Sequence, residues 1–121
     1  MPIALRVVDS ITELTDRDRG CIAVSGSHGG LSSARYALAA RPLLSVFNDA
    51  GGGLDEAGFA ALGLLQAQGL AACTVAHHSA RIGEARSTLE QGVISRTNRA
   101  AEALGLHPGG PLSAFVAANQ P

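Results

Sequence analysis

Three of the four histidines, the Asn48-Asp49 pair and a nearby arginine fall in three short polar segments. These are Ser25-Gly26-Ser27-His28-Gly29-Gly30, Asn48-Asp49-Ala50-Gly51-Gly52-Gly53-Leu54-Asp55 and His77-His78-Ser79-Ala80-Arg81. An imidazole titrates near neutral pH and serves as general acid or base. A carboxylate beside it fixes the ring or takes a proton, and an arginine offers a planar fork to a carboxylate or phosphate. The residue types point to proton transfer on a compact polar or anionic metabolite. His28, Asp49, His77 and His78 are the catalytic candidates.

Each segment also has a plainer reading. Ser25, Ser27, Gly29 and Gly30 suit a loop that aims backbone N–H groups at an anion, or a tight strand-to-helix turn. Asn48, Asp49 and Gly51 leave a strand where a carboxylate can orient a histidine, or where an Asx-type turn closes on itself. Asp55 is explained by a helix cap. Ser79 and Arg81 suit substrate binding, although Arg81 can also pair with Glu84 on the surface. Adjacent residues leaving a strand point opposite ways, so one of His77 and His78 is expected to face the ligand. His107, before Pro108-Gly109-Gly110, reads as a surface loop residue.

Other chemistries find less support. His28, Asp49 and one of His77 or His78 would make a metal triad only by chance convergence, because no HxH, HxxxH or CxxC spacing is present. No metal or cofactor is expected. All nine basic residues are arginine, which removes the Schiff-base lysine and the P-loop lysine, and no GxGxxG is present. Cys21 and Cys73 sit inside apolar runs, as buried reduced thiols do. Ser27-His28-Gly29-Gly30 and Asn48-Asp49-Ala50-Gly51-Gly52 resemble the His-Gly and Asp/Glu-Ala-Cys…Gly motifs of the caspase-like cysteine peptidases. Gly51 stands where that nucleophilic cysteine would be, so the activity is excluded and no family is assigned.

The elements that carry these loops alternate. Residues 3–8, 21–25, 43–47 and 70–76 read as strands. Ser10 and Glu13 have capping-box spacing for a first helix that stops at Gly20. A second helix runs from Leu31 to Ala40 and is closed by Pro42; a third spans 55–68. A long helical segment is expected over 83–104, with Gly92 as a candidate interruption, ending at Gly105, and a short last helix after Pro111. This pattern predicts one α/β domain over residues 1–121. It would hold a small, mainly parallel four-stranded sheet with helices on both faces, a flavodoxin/Rossmann-like three-layer sandwich with a helical C-terminus. Arg6 within the first strand suggests an edge position. Parallel strands would bring all three polar segments to one edge of the sheet.

Composition bounds the partners. The chain has 121 residues, 46% hydrophobic and 16% charged, with a net charge of −1. That is enough apolar surface for one core and too little basic charge for nucleic acid. With no tryptophan and 3% aromatics, base-stacking platforms are not expected. No stretch has the length of a membrane span, and Met1-Pro2-Ile3-Ala4-Leu5-Arg6 does not open a leader, so a cytoplasmic protein is expected. The 55–68 segment is apolar almost all round, which predicts burial in the core or against a second subunit, hence a homo-oligomer. The overall expectation is an acid–base hydrolase or lyase/isomerase. The competing one is a non-catalytic binding or assembly protein that uses the same loops.

Overall fold

Apolar runs rich in β-branched residues pair into a five-stranded sheet ordered β1-β2-β3-β4-β5, where β1 is Leu5–Val8, β2 Ile22–His28, β3 Leu44–Asn48, β4 Ala71–Val75 and β5 Ile94–Thr97. The first four strands are parallel and β5 runs antiparallel to β4. The computed structural model describes residues 3–120, so the sequence reading of Met1 and Pro2 and the outermost ends of the domain lie outside it. Strands β3 and β4 are buried along their whole length, as expected for a sheet covered on both faces. β1 is an edge strand, as Arg6 suggests; that side chain pairs with Asp18 at 3.1 Å.

Alternation along the strands divides the core in two. Ala23, Phe47 and Ala72 face one layer, made by the 3-10 turns at Ile11–Glu13 and Asp16–Asp18 and by helices α1 (Leu31–Ala40) and α2 (Ala60–Gln66). Ile22, Val24, Val46, Cys73 and Val75 face the other, where α3 (Ala85–Gln91) and α5 (Leu112–Ala118) pack together. Right-handed crossovers in a sheet that grows by adding each strand on the same side put successive connections on one face. The connections from β1 to β4 do so. After β4 the chain crosses to the opposite face, and α3 then feeds the antiparallel β5. The strand order is sequential, whereas flavodoxin-like sheets run 2-1-3-4-5. Among the described residues no helix is long and apolar enough to cross a membrane.

Three elements differ from the sequence expectation. The sheet has five strands rather than four, because the segment read as one helix over 83–104 is α3, β5 and α4 (Arg99–Ala103). Val93, Ile94 and Thr97 are β-branched, and Gly92 stops α3 where a Cβ would collide with the Thr88 carbonyl and the Val75 side chain. Asn98 then ends the strand and caps α4. Buried at 8% exposure, it accepts from Ala72 N (3.1 Å) and Ala101 N (2.9 Å) and donates to the carbonyls of Leu62 (3.2 Å) and Leu70 (2.9 Å). The helix expected after Ser10 is two separate 3-10 turns, each with a complete capping box. The helix expected over 55–68 begins only at Ala60, behind a strained stretch over Leu54–Phe59.

Candidate functional site

The crossover geometry creates one opening. The chain leaves β3 toward α2 on one face and leaves β4 toward α3 on the other, so the carboxyl ends of β3 and β4 are flanked by diverging connections. That is where open α/β sheets place ligands. A cleft of about 620 Å³ lies there, between Asn48 and Ala50 on one side and residues 77–82 on the other, with Ser87 and Gln91 of α3 beyond. The volume suits a small molecule. The side chains that line it are neutral or basic; none is acidic.

His77 lines the cleft, and Asp49 lies behind it, outside the lining. Asp49 is 5% exposed, and its Oδ1 accepts the backbone N–H groups of Gly51 (2.8 Å) and His77 (3.0 Å). His77 Nδ1 lies 3.5 Å from the same oxygen, while the imidazole is 56% exposed. The Asx turn expected on plain grounds is therefore present, and the same carboxylate also reaches a histidine. Burial pushes the Asp49 carboxyl up, but this is outweighed by the Gly51 N–H, the Ser95 hydroxyl, and the N–H and ring of His77. The net effect holds Asp49 below the usual carboxylate range, so it is ionised at neutral pH. Gly51, at φ +76°, lies against the His77 ring, and a Cβ there would sit 3.5 Å from Nδ1. Gly58 is pressed on the Asp49 carbonyl so closely that a Cβ would collide with it.

The remaining candidates divide between the cleft and the frame. His78 faces the cleft beside His77, with ring centroids 5.3 Å apart, so the strand-alternation argument for one facing histidine does not describe this loop. Arg81 lines the cleft, its guanidinium 3.7 Å from Glu84, and its N–H donates to Ser87 Oγ. Asn48 is fully buried; its amide donates to the Ala80 carbonyl and its Oδ1 accepts from Ala50 N, which fixes the two cleft walls to each other. Ser79 Oγ donates to Ala76 O and accepts from Val93 N. Ser25 Oγ donates to Val46 O, and Ser27 Oγ accepts from Ile11 N. The Gly29 and Gly30 N–H groups go to the carbonyls of Asn48 and His28. His28 ends β2 on the same sheet edge, exposed, with its ring over Gly30 and outside the cleft lining. Among the described residues no three His, Cys, Asp or Glu side chains converge as a metal ligand set. Asp55 is part of the strained stretch rather than a helix cap, and His107 is an exposed loop residue.

β5 supplies neighbours that the sequence did not announce. Ser95 Oγ is 2.8 Å from Thr74 Oγ1. Arg96 stacks 3.8 Å over the Phe59 ring and donates to both carboxylate oxygens of Glu56, at 2.9 and 3.4 Å. Ala50 and Gly51–Gly53 all have positive φ, followed by Asp55 (φ 54°) and Glu56 (φ 57°). Three non-glycine residues in the left-handed region cost about 1–2 kcal/mol each. Surrounding contacts must hold such a loop in place. The signal for β5 was the Val-Ile-Ser-Arg-Thr run bounded by glycine and asparagine, a strand pattern inside a segment read as helical.

Comparison with protein-family models, curated proteins and solved structures gives no match to this chain.

Proposed function

We propose that the chain is an acid–base enzyme acting on a compact polar or anionic metabolite, by hydrolysis or by lyase/isomerase proton transfer. The observation that carries this reading is the 3.5 Å approach of the buried Asp49 carboxylate to the exposed imidazole of His77, which lines the cleft. With Nδ1 turned to Asp49, Nε2 is left to take a proton from water or substrate. His78 is the second proton-transfer group, and the polar substrate is held by Arg81 with the amide of Gln91, whose Oε1 accepts from the Ser87 hydroxyl. The hydroxyls of Ser25, Ser27 and Ser79 are all engaged within the fold, which favours activated water over a serine nucleophile. Cytoplasmic residence belongs to the same proposal.

A second reading rests on Leu54, 86% exposed, with Leu31 (59%) and Ile82 (55%) beside the same loops. Exposed apolar side chains around a site suit a homo-oligomer whose interface closes it, or a non-catalytic assembly protein. Hydrolysis of p-nitrophenyl acetate, with native mass spectrometry on the same sample, separates the readings. The enzyme reading predicts turnover that falls at least about a hundredfold in His77→Gln and Asp49→Asn and is unchanged in His107→Gln. An oligomer with turnover no better than His77→Gln would establish the assembly reading instead.

A further inference from the structure

Among the described residues, Arg96 is the guanidinium near the dyad that is stacked, forked and anchored on a strand. Phe59 lies under its face and the Glu56 carboxylate fills its two-pronged edge. A planar carboxylate in that position meets the geometry that an arginine fork prefers. The Arg96 fork and Asp49 belong to one locality: Phe59 is in turn against Gly52, whose N–H donates to the Asp49 carbonyl. Thr74, paired with Arg96 across the β4–β5 ladder, also carries the Ser95 hydroxyl.

The group now in the fork is poorly committed to it. Glu56 is exposed, and both it and Asp55 adopt left-handed backbone conformations. Both residues sit in the costly left-handed region, so a shift of this segment to ordinary backbone angles would offset part of the lost contact. Both partners are exposed, so solvent screens the pair despite its two-pronged geometry. Arg96, by contrast, is fixed from below by the aromatic ring and from behind by the sheet.

We propose that Arg96 is a binding residue of this site for a substrate carboxylate, and that Glu56 occupies it as an internal stand-in in the free chain. A carboxylate ligand displaces Glu56, the 54–56 segment relaxes outward, and the ligand is held on the α2 side of Asp49 while its reacting part meets His77. The inference rests on the acid–base reading for the reaction and extends it by naming the anion and its receptor.

The test is calorimetric titration with succinate of the wild-type chain and of Glu56→Gln, Arg96→Gln, Arg96→Lys and, as a control on the exposed face of α1, Arg35→Gln. Emptying the fork in Glu56→Gln tightens succinate binding about fivefold, the range expected from removing a weak competing pair. Arg96→Gln loses binding, and Arg96→Lys, which keeps the charge and the fold without the fork, weakens it. Arg35→Gln retains it. Equal affinity in Glu56→Gln and the wild type, or undiminished binding in Arg96→Gln, overturns the inference. Succinate binding as described in a chain without ester turnover sinks the acid–base reading alone. Turnover without the Glu56→Gln gain sinks this one alone.

Discussion

Oδ1 of Asp49 accepts the backbone N–H of His77 at 3.0 Å and lies 3.5 Å from Nδ1 of the same residue. One carboxylate oxygen thus fixes the start of the β4 loop through its backbone and lies within ion-pair reach of the ring that the loop carries. Gly51 and Gly58 make room for this arrangement, one beside the imidazole and one beneath the Asp49 carbonyl. The consequences are measurable.

Stability should track the Asp49 charge. The folded-state pKa is lowered, so the unfolded chain binds the proton more readily. The stabilisation is fully present above the ordinary carboxylate value and is lost as pH falls through the folded-state value. Urea titrations of the wild type and Asp49→Asn should therefore differ at pH 7 and converge as the pH drops below about 4. A gap that stays constant over that range would show that the charge is not stabilising.

Gly58→Ala tests the close approach. The added methyl meets the Asp49 carbonyl, a backbone atom that cannot swing aside, and overpacking of this kind costs about 1–3 kcal/mol. The melting temperature should fall by about 5 °C or more. Gly63→Ala, where a Cβ meets open space on α2, should leave it unchanged or raised.

Asn98→Ala should be the more damaging frame substitution. It strips partners from two buried N–H groups and two carbonyls at the junction of β4, β5 and α4. A loss of about 3 kcal/mol or more is expected, read from the denaturant midpoint. A loss below about 1 kcal/mol would mean that these groups find other partners.

Both cysteines should be inert in the folded chain. Burial pushes the Cys73 thiol up to about 12; burial, aided by the Asp18 charge, pushes Cys21 to about 11. Iodoacetamide at pH 8 should label neither without denaturant. Rapid labelling of Cys73 would show that the sheet opens.

Much of this was legible in the residues. Strand alternation placed the three polar loops on one edge, Ser10 and Glu13 do form a capping box, and α1 spans Leu31–Ala40 as read. Two things were hidden. β5 lay inside a segment whose apolar spacing also fits a helix; only the antiparallel return onto β4 settles it, and that contact is not local. Apolar periodicity over 55–68 likewise gave no warning that the chain turns left-handed at Ala50–Gly53 and again at Asp55–Glu56. Tertiary contacts decide both, so Ser95, Arg96 and Glu56 were absent from the sequence reading of the site.

The most direct measurement is a long-range 1H–15N spectrum of His77 in the wild type and Asp49→Asn, above the pH at which the ring is protonated. Held by Asp49, the ring should carry its proton on Nδ1 and leave Nε2 bare toward the cleft, with that preference lost in Asp49→Asn. A proton on Nε2 in the wild type, or an identical tautomer in both proteins, would contradict the Asp49–His77 dyad and the function built on it.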